Sequence, residues 1–276
     1  MTKPHILILH ARGTNRDREA GLACELAGGA PEIVRVNQLI AGERRLADYR
    51  MLVLPGGFSY GDDLGAGKLW AVALNHRLGD DLAAFVAAGR PVLGICNGFQ
   101  VLVKAGLLPG GRGSGGRGRG SDGLPPSVSY LPSPTVTLTR NDFGQFECRW
   151  VYLQPQPDSP CVFTRGLSEP IYCPVAHGEG KFVARDSEAL AALESRGLTT
   201  LRYVGPAGAP AGYPWNPNGS QADIAGICNP PGNVLGLMPH PEDHVFAEQH
   251  PRFHRGERGL LGLPLFRNGV DYAAAL

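Results

Sequence analysis

GICNGFQVLVKAG, residues 94–106, sets a cysteine between two glycines where the apolar run PVLGI, residues 91–95, gives way to an amphipathic stretch. A short apolar run bounded by a turn reads as a buried strand. The residues after it place Phe99, Leu102 and Val103 at helical spacing and stop at Gly106. The stretch therefore predicts a strand, a tight bend at Cys96 and a helix. Gly94 and Gly98 are the small neighbours that let such a bend close.

Working outward, the same alternation recurs. HILILH (5–10), EIVRV (32–36) and MLVLPGG (51–57) predict further buried strands. DREAGLACELAGG (17–29) predicts a helix opened by Asp17 and ended by the glycine pair, and GDDLAAFVAAGR (79–90) has acidic residues at its start and Gly89 near its end. Strands alternating with helices predict a parallel sheet covered on both faces. Beyond residue 135 the pattern changes. TVTLTRNDFGQFECRWVYL (135–153), PIYCPVAHGEGKFVA (170–184), LTTLRYV (198–204) and DIAGICNPPGNVLGLM (223–238) predict β-ribbons, the last folding back at NPPGN. The expectation is an α/β fold in one domain over 1–276: an open, mostly parallel sheet with helices on both faces and antiparallel edge strands. Residues 109–134, rich in Gly, Pro and Ser, are expected to form a flexible loop, and their three arginines are too few and too internal to predict an RNA-binding tail.

Composition narrows the function classes. With 43% hydrophobic and 18% charged residues and a net charge of +1, no excess of charge draws the chain toward nucleic acid or a membrane surface. The apolar run near the start, residues 6–9, is too short for a signal peptide or a span, so a cytoplasmic protein is expected. The six cysteines include no CxxC pair, which gives no spacing for a disulfide framework or a zinc site.

Cys96 at the strand-to-helix bend fits the logic of a nucleophile elbow, in which the next residue's N–H, here that of Asn97, helps hold an oxyanion. The positive end of the following helix favours a thiolate. The competing reading is a buried structural cysteine. A base is offered by GLMPHPEDHV, residues 236–245. Pro239 and Pro241 bias Met238 and His240 toward extended backbone, and in an extended chain residues two apart project to one side, which places the Glu242 carboxylate beside the His240 ring. Cys96, His240 and Glu242 would then be nucleophile, base and orienter. His240 with His244, or His250 with His254, are spaced like metal ligands but lack a third partner, and a loop histidine is the plainer alternative. In VLPGGFSYGDDLGAG, residues 53–67, Gly57 can turn its N–H toward the same developing charge, or simply make a tight turn.

In this order, LPGGFSYGD, GICNGFQVL, RNDFGQFECRW, PVAHGEGKF and GLMPHPE, preceded by GTNRDRE at 13–19, resemble the glutaminase-subunit family of phosphoribosylformylglycinamidine synthases, a branch of the class I glutamine amidotransferases. The resemblance implies L-glutamine as substrate, Cys96, His240 and Glu242 as the catalytic triad, and Gly57 and Asn97 as the oxyanion hole. It also implies that Phe58, Gln100, His177, Gly178 and Glu179 border the glutamine. Ammonia would pass to a synthetase subunit that uses ATP and Mg²⁺ to make formylglycinamidine ribonucleotide in purine biosynthesis, with or without a small accessory subunit. No cofactor or metal is expected in this chain, which has no GxxxxGK[ST] phosphate loop. Another cysteine hydrolase on a related sheet, or a non-catalytic regulatory subunit, are the rival functions. The chain departs from the family in its longer 109–134 stretch, in Phe143 where a small residue is usual, and in its tail after Glu242.

Overall fold

The computed structural model describes residues 2–110 and 135–276; Met1 and residues 111–134, most of the stretch expected to be a flexible loop, lie outside the described residues. The strands are β1 (His5–His10), β2 (Ala30–Arg35), β3 (Met51–Leu54), β4 (Val92–Ile95), β5 (Val136–Thr139), β6 (Glu147–Pro155), β7 (Ile171–His177), β8 (Lys181–Ala184), β9 (Thr199–Val204), β10 (Ile224–Cys228) and β11 (Val234–Leu237). Among the described residues, nine of them form one sheet in the order β2-β1-β3-β4-β11-β10-β9-β6-β7. Every ladder from β2 to β11 is parallel, and every ladder from β11 to β7 is antiparallel. The fold is thus the α/β mixed sheet expected, with the antiparallel strands making up a whole flank.

Burial explains why the two flanks read differently. β3 and β4 are buried at every position, as parallel strands covered on both faces must be, whereas β7 alternates buried and half-buried residues. The helices are α1 (Asp17–Leu26), α2 (Val36–Ile40), α3 (Lys68–Arg77), α4 (Gly79–Ala87), α5 (Asn97–Lys104), α6 (Ser187–Ser195) and α7 (Leu263–Ala275). Gly269 of α7 packs close to Met51, while Gly98 of α5 packs against Leu54, three residues further along β3. Side chains three apart on a strand point to opposite faces, so α5 and α7 cover opposite sides of the sheet. No helix among the described residues is long and apolar enough to cross a membrane.

Two expected ribbons are arranged otherwise. TVTLT does not pair with ECRWVYL: β5 joins β8 in a separate two-stranded sheet, while β6 pairs with β7 and β9. The HisGlyGluGly segment at 177–180 therefore leaves one sheet and enters another. The ribbon of β10 and β11 is as expected, turned by a hydrogen bond from Gly232 N–H to the Asn229 carbonyl (2.9 Å).

β7 is an edge strand, the position where a sheet tolerates proline, and Pro174 lies in it. Its outer side is not left to solvent. The Pro174 carbonyl accepts from His240 N–H (2.8 Å), the Tyr172 N–H donates to the Leu260 carbonyl (2.8 Å), and the Ala176 carbonyl receives the Cys96 Sγ (3.8 Å). Four strands separate β4 from β7 in the sheet order, yet the end of β4 and the edge of β7 meet. The antiparallel flank curls back over the mouth of the parallel half, and the candidate site lies where they close.

Candidate active site

Cys96 follows β4 and precedes α5 with φ 50° and ψ −107°. A positive φ is costly for any residue with a Cβ, so the surrounding structure must enforce it. Its N–H donates to the Leu237 carbonyl (2.8 Å), and its carbonyl accepts from Gln100 N–H (3.1 Å). The two glycines around it allow a direct strand-to-helix contact. A Cβ on Gly94 would come within 2.8 Å of the Gly98 carbonyl oxygen, and one on Gly98 would overlap the Leu54 carbonyl. Other thiols are plainly structural: burial pushes Cys24 up to about 12, and Cys173 well above its ordinary value.

His240 and Glu242 are both buried, and the imidazole Nδ1 lies 2.7 Å from the Glu242 Oε1. The contact is the one expected, but the backbone route differs. Residues Pro241–Asp243 form a single 3₁₀ turn rather than extended chain, closed by Asp243 N–H on the His240 carbonyl (3.2 Å). Proline at the first position of such a turn already has the required φ, which explains why the turn wins. With a carboxylate beside Nδ1, the proton there is held, and Nε2 is left buried without a hydrogen-bond partner. Burial alone would depress the His240 pKa; the charges of Glu242 and of the Cys96 sulfur outweigh it and raise the value well above the ordinary one. The sulfur and Nε2 are thus electrostatic neighbours, and the sulfur also lies 3.8 Å from the Ala176 carbonyl oxygen.

A cavity of about 180 Å³ opens at the sulfur. At roughly 30 Å³ per water it has space for a handful of waters or one small molecule. Of the residues singled out in the sequence, Gly57, Phe58, Cys96, Gln100, His177, Gly178 and Glu179 line it. His240 and Glu242 sit behind Cys96, off the lining, and so does Asn97, which is buried beneath it. Gly57 has φ +143° and Asn97 opens α5; among the described residues neither backbone N–H has an acceptor. The Asn97 side chain is tied on three sides, donating to Gln100 Oε1 (3.0 Å) and Asp62 Oδ1 (3.3 Å) and accepting from Ser59 N–H (3.4 Å). Gln100 Nε2 in turn donates to the Glu179 carbonyl (2.6 Å).

Several contributors escaped the sequence reading. Asp62, Phe146 and Ala176 also line the cavity. Asp62 lies in the glycine-rich loop 53–67, where the sequence gives no sign that an acidic residue turns inward, and the Ala176 carbonyl, being main chain, has no residue signature. Asn141 of the RNDFG motif staples the 177–180 segment, donating to the His177 carbonyl (2.8 Å) and accepting from Gly180 N–H (3.0 Å). The His177 ring is buried with both nitrogens unpartnered, and burial, then the charge of His240, pushes its pKa down to about 3. Phe143 is exposed and packs on Tyr213 at 4.5 Å, away from the lining.

The histidines spaced like metal ligands have other occupations. His244 Nδ1 donates to the Tyr172 carbonyl (2.5 Å), and His250 Nδ1 accepts from Arg252 N–H (3.1 Å). Among the described residues one trio converges, His240, Glu242 and Asp243, with ligand atoms within 4.8 Å of one another. The bond between His240 and Glu242 and the ion pair of Asp243 with Arg16 (3.3 Å) explain that convergence.

Comparison with known proteins bears on this geometry. A family of CobB/CobQ-like glutamine amidotransferase domains matches residues 3–273. A protein of Treponema denticola, phosphoribosylformylglycinamidine synthase subunit PurQ, is 50% identical over 98% of this chain and 99% of its own length. The protein of the same name from Dehalococcoides mccartyi is 43% identical over 99% of both chains. A chain in the structure of PurLQS from Thermotoga maritima superposes with a TM-score of 0.68 and 32% identity, covering 98% of this chain and 99% of that one.

Proposed function

The chain belongs to the PurQ family of glutamine amidotransferases, and from that premise we propose that it is the glutaminase subunit of a phosphoribosylformylglycinamidine synthase, with Cys96, His240 and Glu242 as its catalytic triad. The observation that carries the residue assignment is the closure of the sheet on itself. It brings a strained cysteine, a buried imidazole held at Nδ1 by a carboxylate 2.7 Å away, and a small cavity to one point.

In the proposed sequence, L-glutamine enters with its side-chain amide at Cys96. The thiolate attacks the amide carbon, and the oxygen, now negative, lies against the N–H groups of Gly57 and Asn97. The tetrahedral adduct collapses as the His240 imidazolium gives its Nε2 proton to the departing nitrogen, which leaves as ammonia. Neutral His240 then takes a proton from water, whose oxygen attacks the thioester carbon. The carbon–sulfur bond breaks, glutamate leaves, and the thiolate–imidazolium pair is restored. Glu242 keeps the Nδ1 proton in place throughout and stabilises the imidazolium, the role of the third member in triads of this kind. Gln100, His177, Gly178, Glu179 and Phe58 border the substrate.

The ammonia is consumed by a partner synthetase that converts formylglycinamide ribonucleotide to its amidine with ATP and Mg²⁺, in the cytoplasm. Those cofactors belong to the partner. Cys96→Ala tests the assignment in the assembled enzyme: glutamine-dependent turnover is expected to vanish while turnover with ammonium salts persists. Retention of glutamine-dependent turnover would remove Cys96 from the chemistry.

A further inference from the structure

The cavity lining has a charge pattern that the triad does not use. It contains two carboxylates, Asp62 and Glu179, and no lysine or arginine. Lys104, whose charge reaches both acids, is not on the lining. An amino-acid amide held with its side chain at Cys96 must leave its α-ammonium and α-carboxylate elsewhere in the same small space.

Asp62 is held there against local preference. Tyr60, Gly61 and Asp62 have φ of 55°, 69° and 54°, three successive left-handed residues of which only one is glycine. The two hydrogen bonds the carboxylate accepts, from Gly67 N–H and Asn97 Nδ2, both fall on Oδ1 at 3.3 Å. That is long for a carboxylate, whose charge-assisted bonds usually run about 2.7–2.9 Å. Oδ2 accepts none among the described residues. Burial, with the nearby charge of Glu179 adding to it, raises the Asp62 pKa, although the Gly67 and Asn97 donors and the Lys104 charge pull it down. Such a site is one that a cation would relieve. The His177 ring on the same lining is buried with neither nitrogen partnered, its edge packed against Gly180.

We propose that Asp62, together with Glu179, receives the α-ammonium group of the substrate and thereby selects an α-amino acid amide over amides that lack that charge. The proposal rests on the glutaminase reading and adds a specificity group to it. Asp62 also tethers Asn97, so its test must separate substrate recognition from upkeep of the site.

The substitution Asp62→Asn removes the charge and keeps an oxygen that can accept from Asn97 Nδ2. The assembled enzyme is assayed with L-glutamine and with glutaramic acid, which is glutamine without its α-amino group. The expected result is a rise of about 10- to 100-fold in KM for glutamine, the weight of one hydrogen bond to a charged group, with kcat changed less than about threefold. The kcat/KM for glutaramic acid should stay the same, so that discrimination between the two shrinks by the same factor. An unchanged KM for glutamine, or equal losses on both substrates, would overturn the proposal. Should Asp62→Asn fail to fold, Glu179→Gln is read in the same way, and undiminished discrimination in that variant counts against the proposal. If Cys96→Ala keeps glutamine-dependent turnover, the glutaminase reading itself falls. If Cys96→Ala is inactive and Asp62→Asn discriminates like the parent, only the ammonium site falls.

Discussion

Gly56 and His240 touch so closely that a Cβ on the glycine would lie 2.6 Å from the imidazole Cε1, with the Cβ of Cys96 only 3.4 Å away. The loop after β3 thus forms the wall against which the imidazole rests. Gly56→Ala should displace the ring by a large fraction of an ångström. Misplacements of that order can cost about 100-fold in rate, so glutamine-dependent turnover should drop on that scale while ammonium-dependent turnover is kept. Steady-state kinetics with each nitrogen donor checks this, and equal rates for variant and parent would show that the wall is not needed.

Glu242→Gln addresses the charge on the imidazole. The His240 pKa is raised, so its imidazolium is present at low and neutral pH and is lost as pH rises through the folded value; the Glu242 carboxylate and the Cys96 sulfur are what lift it above the level burial would set. Removing the Glu242 charge lowers that value. The basic limb of the glutaminase pH profile should move to lower pH, and the rate at neutral pH should fall by roughly 10²- to 10⁴-fold, as when a triad's acid is neutralised. A limb that stays in place would detach Glu242 from His240.

His177 predicts an acid sensitivity of the fold. Its pKa is pushed down to about 3 from the usual 6.5, so below pH 6.5 the unfolded chain binds a proton that the folded ring refuses. The stability this neutral ring permits is fully present above pH 6.5. It is lost as pH falls toward 3, at no more than about 1.4 kcal/mol per pH unit. His177→Leu should flatten the pH dependence of unfolding across that window. Urea titrations at several pH values would show it, and a slope equal to the parent's would contradict it.

Much of this was readable in the residues because it depends on local chain geometry. A bend at Cys96 follows from an apolar strand, two glycines and an amphipathic helix in thirteen residues, and the His240–Glu242 contact follows from their separation of two, although a 3₁₀ turn rather than extended chain delivers it. What could not be read is what depends on long-range closure. Nothing in PIYCPVAHGEGKFVA announces that β7 and β8 join different sheets, or that the carbonyls of Pro174 and Ala176 on a curled edge strand would receive His240 and Cys96. Main-chain acceptors have no residue signature. Asp62 was hidden for another reason: an acidic residue in a glycine-rich loop usually points to solvent, and only the three left-handed residues at 60–62 turn it inward. The helix α7 escaped because Leu263–Ala275 mixes buried Leu265, Phe266 and Val270 with Gly269 in a segment with no strong opening cap.

The most direct measurement is an acid quench of the assembled enzyme during turnover of radiolabelled glutamine, followed by peptide mapping. Covalent label is expected on the peptide that contains Cys96, released by hydroxylamine as a thioester would be. Label on another cysteine such as the exposed Cys148, or none on Cys96 while ammonia is being formed, would contradict the proposed chemistry.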